Sequence, residues 1–533
     1  MPASPNTQMA EPGEPPAARS APATPALART ATDTERSAKQ VGTELVDDID
    51  AFISQPRFRH AEWGIDIVDL GSGQVRYSHQ AQKLFVPASN TKLYTAALAL
   101  DTLGPDARFA TTLLTTATSL QGSVLRGDLI LEGGGDPSLG DPRISPQTAQ
   151  WADDMATELS RRGITRVDGD LIGDDTYFSG PAFGNGWEAD DLQSTYAPPV
   201  SALSTDGNAM SVIALRDKRG CCKLQVVPEA LADDLVNLTR KSAATQGNTL
   251  AIARINGSSK IWVSGSLPEE RRSERMAQSV PDPARLAALQ LRHALSHHGI
   301  TVQGRVRTIH WPQDAASTRG QRTTVLVRTN SPPLSRLVQH MLKKSDNFYA
   351  QTLLLQVGKR MAQTGTCDDR PRIPATSEQW GLCAMRAMLR RIGLSQDKAT
   401  FSEGSGLSRR NLVSPEATTS LLVWIHRQRF AKLLVNSLPI AGVDGTLKHR
   451  MRGTSAEGNL RAKTGTLTHA YALAGYVTDA NGHKLAFAIT LDRYLRPRDS
   501  MGRRLPPSPS HELDAIAVMM ASAGQKSDDT PAP

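Results

Sequence analysis

The sequence predicts an α/β (α+β) sandwich: an antiparallel sheet flanked by helices, built from both ends of the chain, with a long, mostly β insertion between them. Three observations predict it. A strand pair runs into a helix near the start. Residues from about 108 to 323 change to short β-type runs. Helices and further strands then return to the end of the chain.

Residues 64–70 (GIDIVDL) and 74–77 alternate as two strands around Gly71-Ser72-Gly73, a hairpin signal. Helical periodicity follows from Thr91 through Leu103, where Gly104-Pro105 stops it, so Ser89 sits at the mouth of a helix read as amphipathic. The insertion carries runs such as ATTLLTTA, GDLILEGG and MSVIALRD, and one helical stretch, Asp282–His298. Beyond it, Pro333–Arg360 reads as continuously helical, followed by helical segments at Glu378–Ile392 and Pro415–Gln428. Strands are expected at Asn459–Thr466, Tyr471–Val477 and Lys484–Asp492, and a last helix at Glu512–Ala523. The expected partition is a disordered Ala/Pro-rich tail at 1–40, a main unit from 41–108 with 324–524, an inserted region at 109–323 and a tail at 525–533. Within the insertion, 109–137 joins 203–323 and 138–202 is nested. The whole block is expected to be separable and deletable.

At 533 residues the chain suggests two to four domains. No window offers about 18 uninterrupted apolar residues, so no transmembrane helix is expected. Residues 1–40 contain no apolar run of the length a secretory signal needs, about 7–15 residues. The net charge is +8, but the basic residues are scattered and not interleaved with aromatics. That argues against nucleic acid; an anionic polymer surface is a fitting alternative, and the leading reading of the charge is a plain solubility feature. Four cysteines form no C-x-x-C pair and no zinc pattern. Cys367 and Cys383 flank an expected loop and would pair in an oxidising compartment; two free thiols are the alternative. Cys221 and Cys222 are expected to stay unbridged to each other.

Three short motifs carry the chemistry: Ser89-Asn90-Thr91-Lys92, Ser345-Asp346-Asn347 and Lys463-Thr464-Gly465-Thr466. On a helix, positions i and i+3 share a face, so Lys92 reaches the Ser89 hydroxyl. A serine is a weak nucleophile without an adjacent base, and a lysine amine is a base only when neutral. Burial and a neighbouring cation such as Lys463 lower its pKa. Ser345 could relay a proton to a leaving amine, and Asn347 could orient the substrate and Lys92. Lys463 and Gly465 point to one face of their strand, Thr464 and Thr466 to the other. Gly465 permits close packing against the nucleophile helix, the strand could align an extended peptide, and the Ser89 and Thr466 N–H groups suit an oxyanion hole.

Each motif alone is weak. Ser395-Gln396-Asp397-Lys398 repeats the first and Ser4-Pro5-Asn6 the second. A lone serine before a helix is more often an N-cap. All three in order, each on the element its chemistry needs, outweigh that reading. No G-x-S-x-G elbow occurs. His293, His297 and His298 lack an H-E-x-x-H pattern and read as structural. Gly133-Gly134-Gly135-Asp136-Pro137 lacks the lysine of a phosphate loop and reads as a turn.

With their surroundings these motifs resemble the penicillin-binding proteins, and more narrowly the class C low-molecular-mass D-alanyl-D-alanine carboxypeptidase/endopeptidases of the penicillin-binding protein 4 kind. The supporting stretches are FVPASNTKLYTAALAL, LEGGGDPSL, YAPPVSALSTDGN, MLKKSDNFYAQTLL, EGSGLSRRNLVSP, LPIAGVDGTLKHRMRGT and RAKTGTLTHAYALAGYV, spread from about residue 45 to 523. The long interval between Ser89 and Ser345, 345 − 89 = 256 positions, also fits that group. The resemblance implies a β-lactamase/transpeptidase-like fold, with Ser89 as nucleophile, Lys92 as base, Ser345 and Asn347 as second motif and Lys463 as third. It implies that Thr464 and Thr466 help hold the substrate's terminal carboxylate, with Gly465 between them. It further implies peptidoglycan stem peptides as substrates, β-lactams as acylating inhibitors, no cofactor or metal, and a periplasmic or otherwise exported location. Glu403 departs from the aspartate expected before Gly-Ser-Gly. The alternative is an idle wall-binding or β-lactam-sensing module on the same scaffold. The oligomeric state stays open.

Overall fold

The computed structural model describes residues 35–524 except 145, 218–221, 242–246, 256–257, 313–321, 366, 368–370 and 373. Its central sheet has five antiparallel strands in the order Val75–His79, Glu62–Asp69, Lys484–Asp492, Ala470–Thr478 and Arg461–Leu467. The two ends of the chain thus interleave in one sheet, as the sequence predicts. Arg461–Leu467, which carries the third motif, is an edge strand.

Strand alternation sorts side chains by size. Leu473, Val477, Leu485, Phe487 and Ile489 join a core with Leu45, Ile49, Leu513, Ile516 and Met520 of the terminal helices. Ala474, Ala486 and Ala488 join the opposite core, with Leu93, Leu98, Leu337, Met341 and Leu421. The small side chains on that face let the helical layer approach the sheet closely. The first helix spans Glu35–Ile53 and so begins inside the expected tail. Composition concealed it, because residues 35–40 (ERSAKQ) hold no large apolar side chain.

Two helices depart from their sequence readings. Thr91–Leu103 is not amphipathic: Thr91 through Leu100 are all buried, Lys92 included. A helix covered on every side belongs in the middle of a body rather than at its surface. The expected continuous helix over Pro333–Arg360 is two, Leu334–Lys344 and Asn347–Thr364. Ser345 breaks it in a left-handed conformation, with φ at 59°. Asp346 then caps the next helix, its side chain accepting from the Tyr349 N–H at 3.1 Å. A capping aspartate offers the backbone an alternative to continued helix.

The insertion leaves and re-enters at one place. Ala110–Thr115 runs out and Thr324–Asn330 returns antiparallel beside it, with Ala110 paired to Asn330. The return strand, assigned from sequence to the main unit, therefore completes the insertion's own five-stranded sheet. That sheet runs Val306–Ile309, Leu171–Asp174, Leu129–Gly133, Ala110–Thr115, Thr324–Asn330. Leu139, Trp151, Met155 and Leu159 share its core with Leu113, Leu131, Ala287 and Leu291. Residues between Leu139 and Leu171 of the expected nested unit 138–202 thus contribute to this core. A different core, of Met210, Val212, Val226, Ile261 and Val263, holds together two three-stranded sheets from residues 209–279.

Cys367 and Cys383 form a disulfide with a Cα–Cα distance of 6.3 Å, against Trp380 and Met361. The reading of Cys221 and Cys222 falls on Cys221, outside the described residues. Closing a loop of about 15 residues stabilises by roughly 3 kcal/mol in the chain-entropy view. The substitution Cys367→Ser is expected to lower the urea-unfolding free energy by about that amount. In peptide maps after alkylation under denaturing, non-reducing conditions, neither Cys367 nor Cys383 should be modified; modification of both would contradict the bridge.

Candidate active site

Ser89 lies in a 3₁₀ turn, Ala88–Asn90, that feeds directly into the helix Thr91–Leu103. The turn is pinned from two sides. Ala88 has a φ of +46°. A Cβ on Gly465 would lie 2.7 Å from the Pro87 carbonyl and 3.2 Å from the Ala88 Cβ. A Cβ on Gly406, whose φ is +91°, would lie 1.9 Å from the Ala88 carbonyl oxygen. Gly465 therefore packs against the nucleophile turn, as its strand position predicts, and Gly406 does the same from the opposite loop. A non-glycine residue held at positive φ stores strain that its surroundings must maintain.

One helical turn on, Lys92 is fully buried. Its Nζ lies 2.9 Å from Ser89 Oγ, 2.5 Å from Asn347 Oδ1 and 2.5 Å from the Ser405 carbonyl oxygen. Two of these three partners can only accept. A neutral amine has two N–H groups and one lone pair. With its hydrogens on Asn347 and Ser405, the lone pair is left facing the Ser89 hydroxyl. Burial pushes the Lys92 pKa down to about 7, against the opposing pull of Glu403 and Asp346. The sequence reading credited Lys463 with part of this lowering. Burial accounts for it, and the repulsion appears instead on Lys463, held well below its usual range by burial first and then by Lys92 and Arg450.

Lys463, also fully buried, donates to Ser345 Oγ at 2.8 Å and to the Thr464 carbonyl at 2.7 Å. The helix break at Ser345 is what turns its hydroxyl toward this amine. Two residues later Asn347 points the oxygen of its amide at Lys92 and donates its Nδ2 to the Tyr196 carbonyl at 2.8 Å. Thr464, on the other face of the strand, donates to Thr446 Oγ1 at 2.8 Å, while Thr466 is exposed. Of the eight sequence-selected residues, the structure thus brings together Ser89, Lys92 and Asn347 by hydrogen bonds, Ser345 with Lys463, and Gly465 against the serine turn, while Thr464 and Thr466 lie on the other face of the strand.

The decoy stands apart. Lys398 pairs with Glu416 at 3.1 Å and lies in a turn away from these residues. The Ser4-Pro5-Asn6 decoy is outside the described residues. Sequence reasoning missed the Ser405 and Tyr196 carbonyls and Thr446. The two carbonyls are backbone atoms with no side-chain signature, and only the stretches EGSGLSRRNLVSP, YAPPVSALSTDGN and LPIAGVDGTLKHRMRGT marked their neighbourhoods.

Tyr196 belongs to the insertion, as do Trp187 and Asn185. Trp187 donates to Glu403 Oε2 at 3.2 Å, and the Asn185 N–H to Glu378 Oε1 at 3.1 Å. Phe178, Ala197 and Val200 are part of the helical core. Part of the block 109–323, expected from sequence to be removable, thus holds a site side chain and fills the main core.

The two glycines give a stability test. Gly406→Ala is expected to cost about 2–5 kcal/mol, since it combines positive φ with a backbone clash. Gly453, at φ +70° with nothing near its missing Cβ, is a control whose alanine variant should cost only about 1 kcal/mol. Chemical denaturation of both variants decides it; equal costs would contradict the clamped turn.

Comparisons with known proteins identify the family. Residues 45–504 match the D-Ala-D-Ala carboxypeptidase 3 (S13) family. A D-alanyl-D-alanine carboxypeptidase from Actinomadura is 34% identical over 509 residues, spanning 91% of this chain and 88% of that protein. The D-alanyl-D-alanine carboxypeptidase DacB of Haemophilus influenzae is 28% identical over 434 residues, 80% of this chain and 84% of its own. The crystal structure of penicillin binding protein 4 from Haemophilus influenzae is similar with a TM-score of 0.73 at 26% identity, covering 88% of this chain and 97% of that one. A family match across most of its length makes this chain a member of the D-Ala-D-Ala carboxypeptidase 3 (S13) family.

Proposed function

We propose that this chain is a serine-type D-Ala-D-Ala carboxypeptidase and/or D,D-endopeptidase that cleaves peptidoglycan stem peptides through an acyl-enzyme on Ser89. One observation carries the reading: the buried Lys92 amine, with both hydrogens taken by acceptors, presents its lone pair to Ser89 Oγ at 2.9 Å.

Lys92 takes the Ser89 proton as Oγ bonds to the carbonyl carbon of the penultimate D-Ala. The Ser89 and Thr466 backbone N–H groups stabilise the oxyanion, a type of contact worth about 10²–10³ in rate per donor. As the C–N bond breaks, the proton that Lys92 took passes by way of the Ser345 hydroxyl, which is hydrogen-bonded to Lys463, to the leaving amine, and Lys92 is neutral again. Water then attacks the ester carbon, and the Oγ–C bond breaks with return of a proton to Ser89. Thr464 and Thr466 hold the terminal carboxylate, and the free edge of Lys463–Thr466 aligns the extended peptide by backbone pairing. Trimming of a terminal D-Ala and cutting of a cross-link share this acyl-enzyme; product analysis on purified muropeptides assigns the preference.

The disulfide suits an oxidising compartment, so we read the protein as exported, to a periplasm or its equivalent. Among the described residues no helix is long and apolar enough to cross a membrane. The partition that fits the cores is a main unit from both chain ends, an inserted body including 139–171, and a further β unit near 209–279.

A β-lactam places a strained amide beside a carboxylate, and so meets the same groups as the D-Ala-D-Ala terminus. Benzylpenicillin should add its mass to the peptide bearing Ser89 and to no other. Lys92→Ala should slow labelling by about 10²–10⁴, the usual contribution of a positioned base, while Lys398→Ala leaves it unchanged. A label on Ser395, or undiminished labelling of Ser89→Ala, would sink the assignment. Since Lys92 works as the neutral amine, the acylation rate should climb as pH rises through about 7 and level off above it. A rate flat from pH 5 to 9 would remove Lys92 as the base.

A further inference from the structure

Glu403 is fully buried in the turn Glu403-Gly404-Ser405-Gly406, whose Ser405 carbonyl holds Lys92. Its carboxylate accepts from the Ser405 N–H at 2.7 Å, the Gly406 N–H at 2.6 Å, Asn411 Nδ2 at 2.8 Å, Trp187 Nε1 at 3.2 Å and the Ser405 hydroxyl. Every partner is a donor, so both oxygens act purely as acceptors, as in a carboxylate. None of the partners is a cation. A buried carboxylate without an ion pair is costly, and a framework turn is held as well by neutral groups. The Lys92 amine, on the other side of Ser405, feels this carboxylate, which opposes the lowering of its pKa by burial.

We propose that Glu403 is a positioning residue for the acylation step: it fixes the Ser405 carbonyl on Lys92 and supplies the standing negative charge behind that amine. The inference rests on Lys92 acting as the base. Burial alone would drive this amine toward permanent neutrality and weaken it as a base. A fixed anion opposes that and keeps the protonated form accessible, so the proton can be carried on toward the leaving amine. Glutamine keeps one acceptor oxygen and loses the charge; its Nε2 cannot accept from the donors facing the other position, so the place of the pH limb, more than the rate, reports the charge.

Other charges face the same amine. Asp346, from the break between the two helices, attracts its proton, and Lys463, from the edge strand, is repelled by it. Arg450 faces Lys463 in turn. Behind Glu403, Glu378 on the helix Ser377–Arg391 accepts from Gln351 Nε2 at 2.7 Å. The Oε1 of Gln351 accepts from the Gly404 N–H at 2.8 Å, so the turn has a second tether that survives loss of the Glu403 charge.

The test is the pH profile of benzylpenicillin acylation for wild type, Glu403→Gln and Glu403→Asp, with folding followed by circular dichroism. Removing the charge should shift the acid limb of Glu403→Gln down by about one pH unit, with the plateau rate about tenfold lower. Glu403→Asp keeps the charge, so its limb should stay in place and its plateau fall only a few-fold. A slower Glu403→Gln with an unmoved limb, or one with the wild-type profile, overturns the inference. Should Glu403→Gln not fold, Glu403→Asp decides: a wild-type plateau, or a limb displaced by a full unit, also overturns it. Wild type that is not labelled at all defeats the reading of Ser89 and Lys92 instead, which keeps the two failures apart.

Discussion

Two lysine amines, Lys92 and Lys463, are buried without any solvent access in one cleft, and much of the surrounding structure answers that constraint. Two like charges side by side in a medium of low polarity cannot both persist. The cleft therefore provides acceptors of fixed orientation: the Ser405 and Thr464 carbonyls, Asn347 Oδ1 and the Ser345 hydroxyl. Backbone carbonyls do this well because they cannot titrate or rotate away. The cost is paid in local geometry, with Ala88 and Ser345 held at positive φ and Gly406 and Gly465 left without a Cβ where the chains cross.

The division of labour between the sheet faces serves the same end. Alanines at 474, 486 and 488 face the helical layer, and larger residues face the terminal helices. A bulkier inner face would lift the helix Thr91–Leu103 away from the strand Arg461–Leu467, and the two amines would no longer lie close to each other. The insertion adds a wall to this arrangement through Trp187 and Tyr196. It is a part of the site as well as an appendage.

Much of this was legible in the sequence. Alternation over residues 64–70 located the strand that spans Glu62–Asp69, because its two faces meet different surroundings with a period of two. The three motifs were legible because their chemistry is incomplete singly and coherent together. What escaped notice is of three physical kinds. Backbone acceptors such as the Ser405 carbonyl leave no trace in residue identity. The break at Ser345 lies within unbroken helical composition and is decided by one capping aspartate. The pairing of Thr324–Asn330 with Ala110–Thr115 is non-local, so no window of sequence could assign that strand to the insertion. The helix Thr91–Leu103 also differs from its amphipathic reading, since Thr91, Thr95 and Lys92 are buried with its apolar residues.

The insertion's point of departure bears on how the chain finds its fold. Phe109 and Ser331 are joined there by two hydrogen bonds, with the Ser331 N–H on the Phe109 carbonyl at 2.8 Å and the Ser331 hydroxyl accepting from the Phe109 N–H at 3.0 Å. Leu334 N–H reaches the Ala107 carbonyl at 2.8 Å. Once this junction is knotted, the polypeptide between the first and second motifs is no longer a loop of hundreds of residues to be closed. It is two short arms leaving a common root. By the logarithmic cost of ring closure, shortening the effective loop about eightfold saves roughly 2 kcal/mol of entropy when the cleft assembles. The inserted body thus acts as a splint: whichever order the parts fold in, its completion brings the serine turn and the Ser345 kink within reach of each other.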